Sequence, residues 1–239
     1  MATNELSEDD GDYYYVDSNG AMVTNRWIQL ENEDMDENDS EYVWYYFQNN
    51  GKAYTASDRD SVSFKTINGK KYTFDDEGKM LWGWIDESGE RITDEADWAS
   101  GMYYCGTADD GAQVTGWAQL HVLDEQVETR FDQTLDEEEQ DYWFYFNTNG
   151  KKVYAKDGDA YETKTINGNK YAFDTDGVMA FEWTDGIATA DSNVPASTDA
   201  ASQYYHDRSA GTRSKGTVAA PTAQYGRDSA HQGRPTQRN

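Results

Sequence analysis

The chain repeats itself at a long interval. The segment KTINGKKYTFDDEGKM begins at Lys65, and KTINGNKYAFDTDGVM begins at Lys164, 99 positions later. WYYFQNNGKAY from Trp44 returns as WFYFNTNGKKVY from Trp143, at the same interval. Two such matches in one register indicate two copies of a large unit, which restricts the fold to repeat architectures.

The copies also differ in length. Trp27 matches Trp117 at an interval of only 90 positions, because the second copy has a longer acidic loop. We expect a lead-in over residues 1–11, a first block over 12–101 and a second block over 102–185.

Each block contains three smaller units. In each unit an aromatic run such as WYYF leads into Asp, Asn and Gly residues and then into a second short segment. Aromatic runs favour strands, and Asn-Gly or Asp-x-x-Gly supplies the turn of a hairpin. One hairpin is not stable alone, so successive hairpins must share their rings. The sequence therefore predicts an all-β solenoid of about six stacked hairpins and a degenerate seventh, with little helix.

Composition excludes several classes of protein. Forty-six acidic against 20 basic side chains give a net charge of -26, whereas a nucleic-acid binder needs a basic surface. No apolar run approaches the roughly 18 residues of a membrane helix, so we expect no membrane insertion. Aromatic residues make up 14% of the chain, and we expect them to form most of the core. The acidic N-terminal segment lacks the apolar stretch of a signal peptide, and we interpret this chain as part of a longer protein.

The sequence offers no pattern for catalysis, a cofactor or a metal. Cys105 is the sole cysteine, which excludes an internal disulfide and a cysteine zinc site. His121, His206 and His231 lack the spacing of metal ligands. Residues 31–41 and 136–141 are strongly acidic, and we interpret them as solvated loops. Calcium binding by these loops is the alternative, although no EF-hand spacing is present.

The last part of the chain differs from the rest. Residues 186–205 form a linker and the start of a degenerate seventh hairpin. From His206 onward basic residues outnumber acidic ones, and Tyr225 is the only aromatic residue. We expect 206–239 to be poorly ordered, because this segment has little apolar surface to offset the entropy of ordering.

INGKKYTFDDEGKMLWGW, from Ile67 to Trp84, resembles the cell-wall-binding repeat shared by choline-binding modules, streptococcal glucan-binding domains and clostridial toxin repeats. DDGAQVTGW and WYYFQNNGK match the end and the beginning of that pattern. The resemblance implies a noncatalytic attachment module of a secreted or cell-surface protein of Gram-positive type, without a cofactor. Its expected partner is a cell-wall polymer, either choline-substituted teichoic acid or a glycan.

The resemblance also implies where a ligand would bind. In the family, a cage combines the Trp of a Gly-Trp pair, the first ring of the next aromatic run and a ring of the following hairpin. Two junctions retain all three rings, and strand alternation adds a tyrosine to each. The expected ligand-binding residues are Trp27, Trp44, Tyr46 and Tyr72, and in the second block Trp117, Trp143, Tyr145 and Tyr171.

Two further junctions lack the central ring. The one after Trp84 meets Met102, and the one after Trp183 meets Gln203. We therefore expect two equivalent sites rather than six.

Two other functions fit the same residues. A structural stalk or adhesin spacer would use every Trp to join neighbouring hairpins. A binder of host carbohydrate receptors, like the toxin repeats, would use the rings to stack on sugars.

Overall fold

The computed structural model describes residues 3–33, 35, 38–56, 61–126, 138–156, 158–159 and 161–182. Trp183, His206, the 186–205 linker and the 206–239 tail lie outside these ranges, as do parts of both acidic loops. The predictions made for them stay predictions.

The described chain is built from short strands. The lead-in contains β1 (Glu5–Asp9). In the first block the strands are β2 (Asp12–Val16), β3 (Arg26–Glu31), β4 (Tyr42–Phe47), β5 (Lys65–Ile67), β6 (Lys70–Tyr72) and β7 (Gly83–Ile85). In the second block they are β8 (Tyr103–Thr107), β9 (Asp110–Gln113), β10 (Gly116–Leu123), β11 (Glu139–Phe146), β12 (Glu162–Ile166), β13 (Asn169–Phe173) and β14 (Met179–Glu182). Within the described ranges the one helical segment is a 3-10 turn, Glu95–Ser100, and no helix there could cross a membrane. The all-β prediction is confirmed.

Strands pair with their neighbours in sequence, always antiparallel. The sheets are β1-β2, β3-β4, β5-β6, β7-β8-β9, β10-β11 and β12-β13-β14. Trp27 lies opposite Tyr46 in β3-β4, and Trp117 lies opposite Tyr145 in β10-β11. The two sequence copies therefore have the same pairing.

The prediction of how the hairpins close needs one correction. We expected each glycine turn to join the two strands of a hairpin. Around several of these turns only single bridges form, such as Phe47 with Ala53. The longer ladders join each Trp strand to the next aromatic strand, across the acidic loops. Around Gly177 the ladder continues, because β13 pairs with β14 across that turn.

A carboxylate or an amide oxygen closes several of these turns. Asp17 accepts from the amides of Asn19 (2.8 Å) and Ala21 (3.0 Å). Asp174 accepts from Asp176 (3.0 Å) and Val178 (2.8 Å) in the second block. Short polar side chains stabilise such turns by bonding to the backbone a few residues on. The interpretation of Asp-Ser-Asn-Gly and Asp-Thr-Asp-Gly as turns is confirmed.

Backbone hydrogen bonds also connect one hairpin to the next. In each, the amide of the second residue after a turn glycine donates to the carbonyl of the first residue in the strand run of the preceding hairpin. The pairs are Ala53 to Tyr13 (2.8 Å), Met80 to Trp44 (2.7 Å) and Lys152 to Met102 (2.7 Å). The repeated register shows that these hairpins dock on one another in one way.

Turn glycines make room for this docking. A Cβ added to Gly51 would lie 2.4 Å from the sulfur of Met22, and one added to Gly177 would lie 2.8 Å from Cδ of Lys152. Real Cβ atoms do not approach so closely. The side chain of one hairpin thus occupies the space beside the glycine of the next.

Aromatic rings form much of the core, as predicted. The largest fully buried side chains are Phe47, Phe74, Phe144, Phe146 and Phe173. Tyr45 is also buried, which confirms that Tyr45 and Phe47 face away from Trp44. Cys105 is fully buried in β8, and burial raises the pKa of its thiol to about 12. Its role is packing.

One buried turn residue predicts a pH dependence of stability. Asp75 accepts a hydrogen bond from the amide of Lys79 (2.7 Å), and burial raises the pKa of its carboxyl from 3.8 to about 6. The ionised carboxylate of Asp75 therefore lowers the free energy of unfolding. This loss is absent below pH 4 and reaches its full size above pH 6. We expect Asp75→Asn to raise the free energy of unfolding above pH 6 by on the order of 2 kcal/mol, and the gain to vanish near pH 4.

Urea denaturation at pH 4 and pH 8 measures this gain. The amide of Asn147 already fills the same role in its own turn, where it accepts from Lys151 at 3.2 Å, so asparagine fits the geometry. Asp17→Asn is the matched control, because hydrogen bonds from Ala21 and Asn19 lower the pKa of that carboxyl. It should give no gain at pH 8. Equal gains for both variants would contradict the assignment to Asp75.

Candidate functional site: two aromatic cages

The rings predicted for the first site lie together. Measured between ring centroids, Trp27 is 6.5 Å from Trp44, 5.1 Å from Tyr46 and 4.9 Å from Tyr72. Trp27 also lies 5.9 Å from Phe74, stacked at 25°. We call these five residues the Trp27 cage.

The second site has the same geometry. Trp117 is 6.3 Å from Trp143, 5.1 Å from Tyr145 and 4.6 Å from Tyr171. Phe173 lies 5.8 Å away, tilted at 33°. We call these five residues the Trp117 cage. The two cages are pseudo-equivalent, since every corresponding distance agrees within 0.3 Å.

Three strands build the Trp27 cage. Trp27 comes from β3, Trp44 and Tyr46 come from one face of β4, and Tyr72 comes from β6 of the following hairpin. Side chains two positions apart on a strand share a face, which places Trp44 and Tyr46 side by side. The β3-β4 ladder holds Trp27 opposite this pair.

The sequence did not lead us to expect a phenylalanine in either cage. Phe74 and Phe173 follow Tyr72 and Tyr171 by two residues, so strand alternation could have placed both rings of each pair on one face. Phe74 and Phe173 are almost fully buried and form the floor of the cages.

Burial within the cages is uneven. Both tryptophans of each cage are half-buried, whereas the exposed fraction is 9% for Tyr72 and 5% for Tyr171. The indole Nε1 of Trp44 is buried and has no hydrogen-bond partner among the described residues. Such a group costs about 1–3 kcal/mol. The accessible rings of each cage are therefore its two tryptophans and the half-buried Tyr46 or Tyr145.

The junction after Trp84 is different. Met102 stands in the place of Trp44, as the sequence indicated, but Trp98 from the 3-10 turn lies 6.3 Å from Trp84. Phe144 and Phe146 lie 5.1 Å and 6.0 Å from Trp84, and only 8% of Trp84 is exposed. Trp98 was not anticipated, because the corresponding segments after Trp27 and Trp117 contain no tryptophan before the next aromatic run.

A cavity of about 280 Å³ borders the outer side of this junction. Its aromatic walls are Trp82, Trp84, Trp98 and Tyr104, and Arg91, His121 and several carboxylates line the rest. The guanidinium of Arg91 lies 3.9 Å from the centre of the Trp82 ring and is paired with Asp39. None of the lining residues belongs to either cage, and Arg91 covers one face of Trp82.

Metal ligands are not clustered in the described ranges, where no three His, Cys, Asp or Glu side chains are grouped to hold an ion. His121 lies at the surface, with Nδ1 3.0 Å from Asp141. Residues 127–137 lie outside the described part, so the calcium alternative for the second acidic loop stays untested.

Four segments of the chain match a family described as "Putative cell wall binding repeat": residues 8–22, 38–53, 138–152 and 164–179. Each of these four segments is similar to that repeat. Each matched repeat contains a glycine turn and all or most of the aromatic run before it. The repeats at 38–53 and 138–152 supply Trp44 and Trp143 to the two cages.

Solved structures of repeat-containing proteins are similar to this chain. The multimodular pneumococcal cell wall endolysin from phage Cp-1, complexed with choline, is 20% identical with a TM-score of 0.36, and covers 82% of this chain and 39% of its own. Choline binding protein F from Streptococcus pneumoniae is 20% identical with a TM-score of 0.31, and covers 74% of this chain and 66% of its own.

A truncated alternansucrase from Leuconostoc mesenteroides is 16% identical with a TM-score of 0.29, and covers 74% of this chain and 10% of its own. The chain thus spans about two fifths of the endolysin and a small part of the alternansucrase. The comparison with curated proteins gave no match.

Proposed function

We propose that this chain is a noncatalytic module that attaches its parent protein to a bacterial cell-wall polymer, by holding choline groups in the Trp27 and Trp117 cages. The observation that carries the proposal is the coincidence of the two cages. Each brings together two tryptophans, two tyrosines and a phenylalanine, at nearly the same distances, from segments 90 to 99 positions apart. Packing alone needs buried rings, but it does not need this arrangement twice.

A quaternary ammonium fits the chemistry of the cages. The faces of Trp and Tyr rings attract such a cation with about 0.5–2 kcal/mol each. Three accessible rings therefore supply enough energy for weak but specific binding. The net charge of -26 adds a long-range attraction for a cation and a repulsion for free phosphate.

Many weak sites suit attachment to a polymer. A single choline bound by a few rings dissociates readily, whereas two cages on one chain raise the effective concentration of the second ligand group. A choline-substituted teichoic acid presents such groups repeatedly. An envelope glycan is the other candidate ligand, since the apolar face of a sugar stacks on the same rings.

A structural stalk is the second candidate function. It is favoured by the burial of Tyr72 and Tyr171, which are almost as enclosed as the core phenylalanines. In that case the cages only join neighbouring hairpins.

The wider context is part of the proposal. We infer a solenoid of about six hairpins in two blocks, supported by the repeated hydrogen bonds between hairpins. We also infer a secreted or surface-attached parent protein of Gram-positive type, in which any catalytic region would be a separate domain.

Titration of tryptophan fluorescence separates these functions. We expect choline to give a saturable change with two sites per chain, detected in parallel by calorimetry. A response to oligosaccharides alone would replace choline by a glycan, whether of the envelope or of a host receptor. No response to either would favour the stalk.

A further inference from the structure

The strongest unexplained feature is a buried lysine. Only 3% of Lys152 is exposed, although lysine is almost never fully buried without a partner. Lys152 stands in the same register as two methionines that pack against residues of the cages. The bridges that define this register are Phe74 with Met80, Phe146 with Lys152, and Phe173 with Met179.

The lysine side chain fills the Trp84 junction. Its Nζ donates to the carbonyl of Ala99 (2.8 Å) and lies 5.1 Å from the centre of the Trp84 ring. Its alkyl chain occupies the space beside Gly177. The ammonium is therefore held by a ring face, a carbonyl dipole and close packing.

We propose that Lys152 is an internal ligand, whose ammonium occupies at the Trp84 junction the place that an external cation takes in the two cages. The comparison with the cages rests on the proposed function, whereas the internal site itself does not. At this junction the chain itself supplies the cation, although Trp84 also borders the cavity of about 280 Å³. Within the described part of the chain, the Trp27 and Trp117 cages remain as the sites for an external cation.

Burial of an ammonium requires such compensation. A charged group leaves water at a cost of several kcal/mol unless polar partners replace its hydration. The ring of Trp84 and the carbonyl of Ala99 are two such partners. A methionine, as in the other two registers, would fill the same volume without this requirement. The lysine is consequently more than a filler.

The test is chemical rescue of Lys152→Ala. The substitution removes three methylenes and the ammonium, which corresponds to n-propylammonium. We expect the melting temperature to fall by about 5 °C or more. Millimolar n-propylammonium should restore much of this loss, in a saturable manner, because a ligand of the native state alone stabilises it. If the variant does not fold alone, the fraction that refolds from urea with and without n-propylammonium gives the same information.

Three controls make the result specific. 1-Propanol has a similar size and no charge, and should not rescue the variant. Lys151→Ala removes the neighbouring lysine, which is paired with Glu87 at the surface, and should not respond beyond the wild type. Rescue should persist when Trp44 and Trp143 are also replaced by alanine, so failure of the cages and failure of the internal site are distinguishable. Equal rescue by 1-propanol, or none by n-propylammonium, would overturn the proposal.

Discussion

Replacing Trp44 and Trp143 together with alanine is expected to abolish detectable choline binding. Each substitution removes one of the accessible rings of a cage, and the loss of about 1–2 kcal/mol per ring lowers the affinity of that cage about tenfold or more. Either single variant should retain one site per chain. Calorimetric titration of the three variants measures both affinity and stoichiometry.

Trp82→Ala is the matched control for this experiment. Trp82 is a half-buried tryptophan that contacts Arg91 and belongs to neither cage. The control variant should bind choline at two sites, as the wild type does. Circular dichroism must show that the double variant is folded. A folded double variant with wild-type binding would disprove the assignment of the ligand to the cages.

Replacing Trp84 with alanine is expected to affect stability rather than binding. Trp84 contacts Trp98, Tyr104, Phe144 and Phe146, all with ring centroids 5.1–6.3 Å away. Removal of a buried Trp side chain costs about 3–5 kcal/mol, because the surrounding rings cannot close the cavity. Urea denaturation followed by circular dichroism measures this loss.

The contrast with Trp44 makes this second prediction specific. Trp44→Ala should cost clearly less stability, because Trp44 is only half-buried and the substitution also removes a buried N–H that has no hydrogen-bond partner among the described residues. If Trp84→Ala keeps its stability and instead loses a choline site, Trp84 is a ligand ring and the Trp84 junction is open.

Much of the candidate site could be predicted because it depends on repeated local spacing. The interval between Trp27 and Trp44, the two-residue strand period and the recurrence in the second block are all properties of the sequence. They place Trp44 beside Tyr46 and Trp143 beside Tyr145, whereas Tyr72 of the next hairpin was placed in the cage by the resemblance to the cell-wall-binding repeat. The use of the rings to bind choline is not a property of their positions, and stays a prediction.

The Trp84 junction could not be predicted, because its contents depend on contacts between units. Trp98 comes from an insertion that the repeat pattern lacks. Its indole N–H donates to the carbonyl of Leu123 (2.8 Å), a contact 25 positions away. Lys152 reads as an ordinary polar residue after a turn, and only the docking of consecutive hairpins buries it. The two-residue strand period determines which rings lie on the same face of a strand. The packing of different hairpins determines which side chains lie between those rings.

The docking of each hairpin beside a turn glycine divides the glycines into two kinds. Gly51 and Gly69 both have a positive φ, of 85° and 84°, a conformation that Asn68 also adopts nearby. An added Cβ at Gly69 would meet nothing, whereas at Gly51 it would meet Met22. A side chain at either position would be strained by the positive φ, but at Gly69 it would meet no neighbouring atom. At Gly51 it would also have to displace the Met22 side chain of the preceding hairpin, so the residues at positions 22 and 51 should vary together across the boundary between repeats.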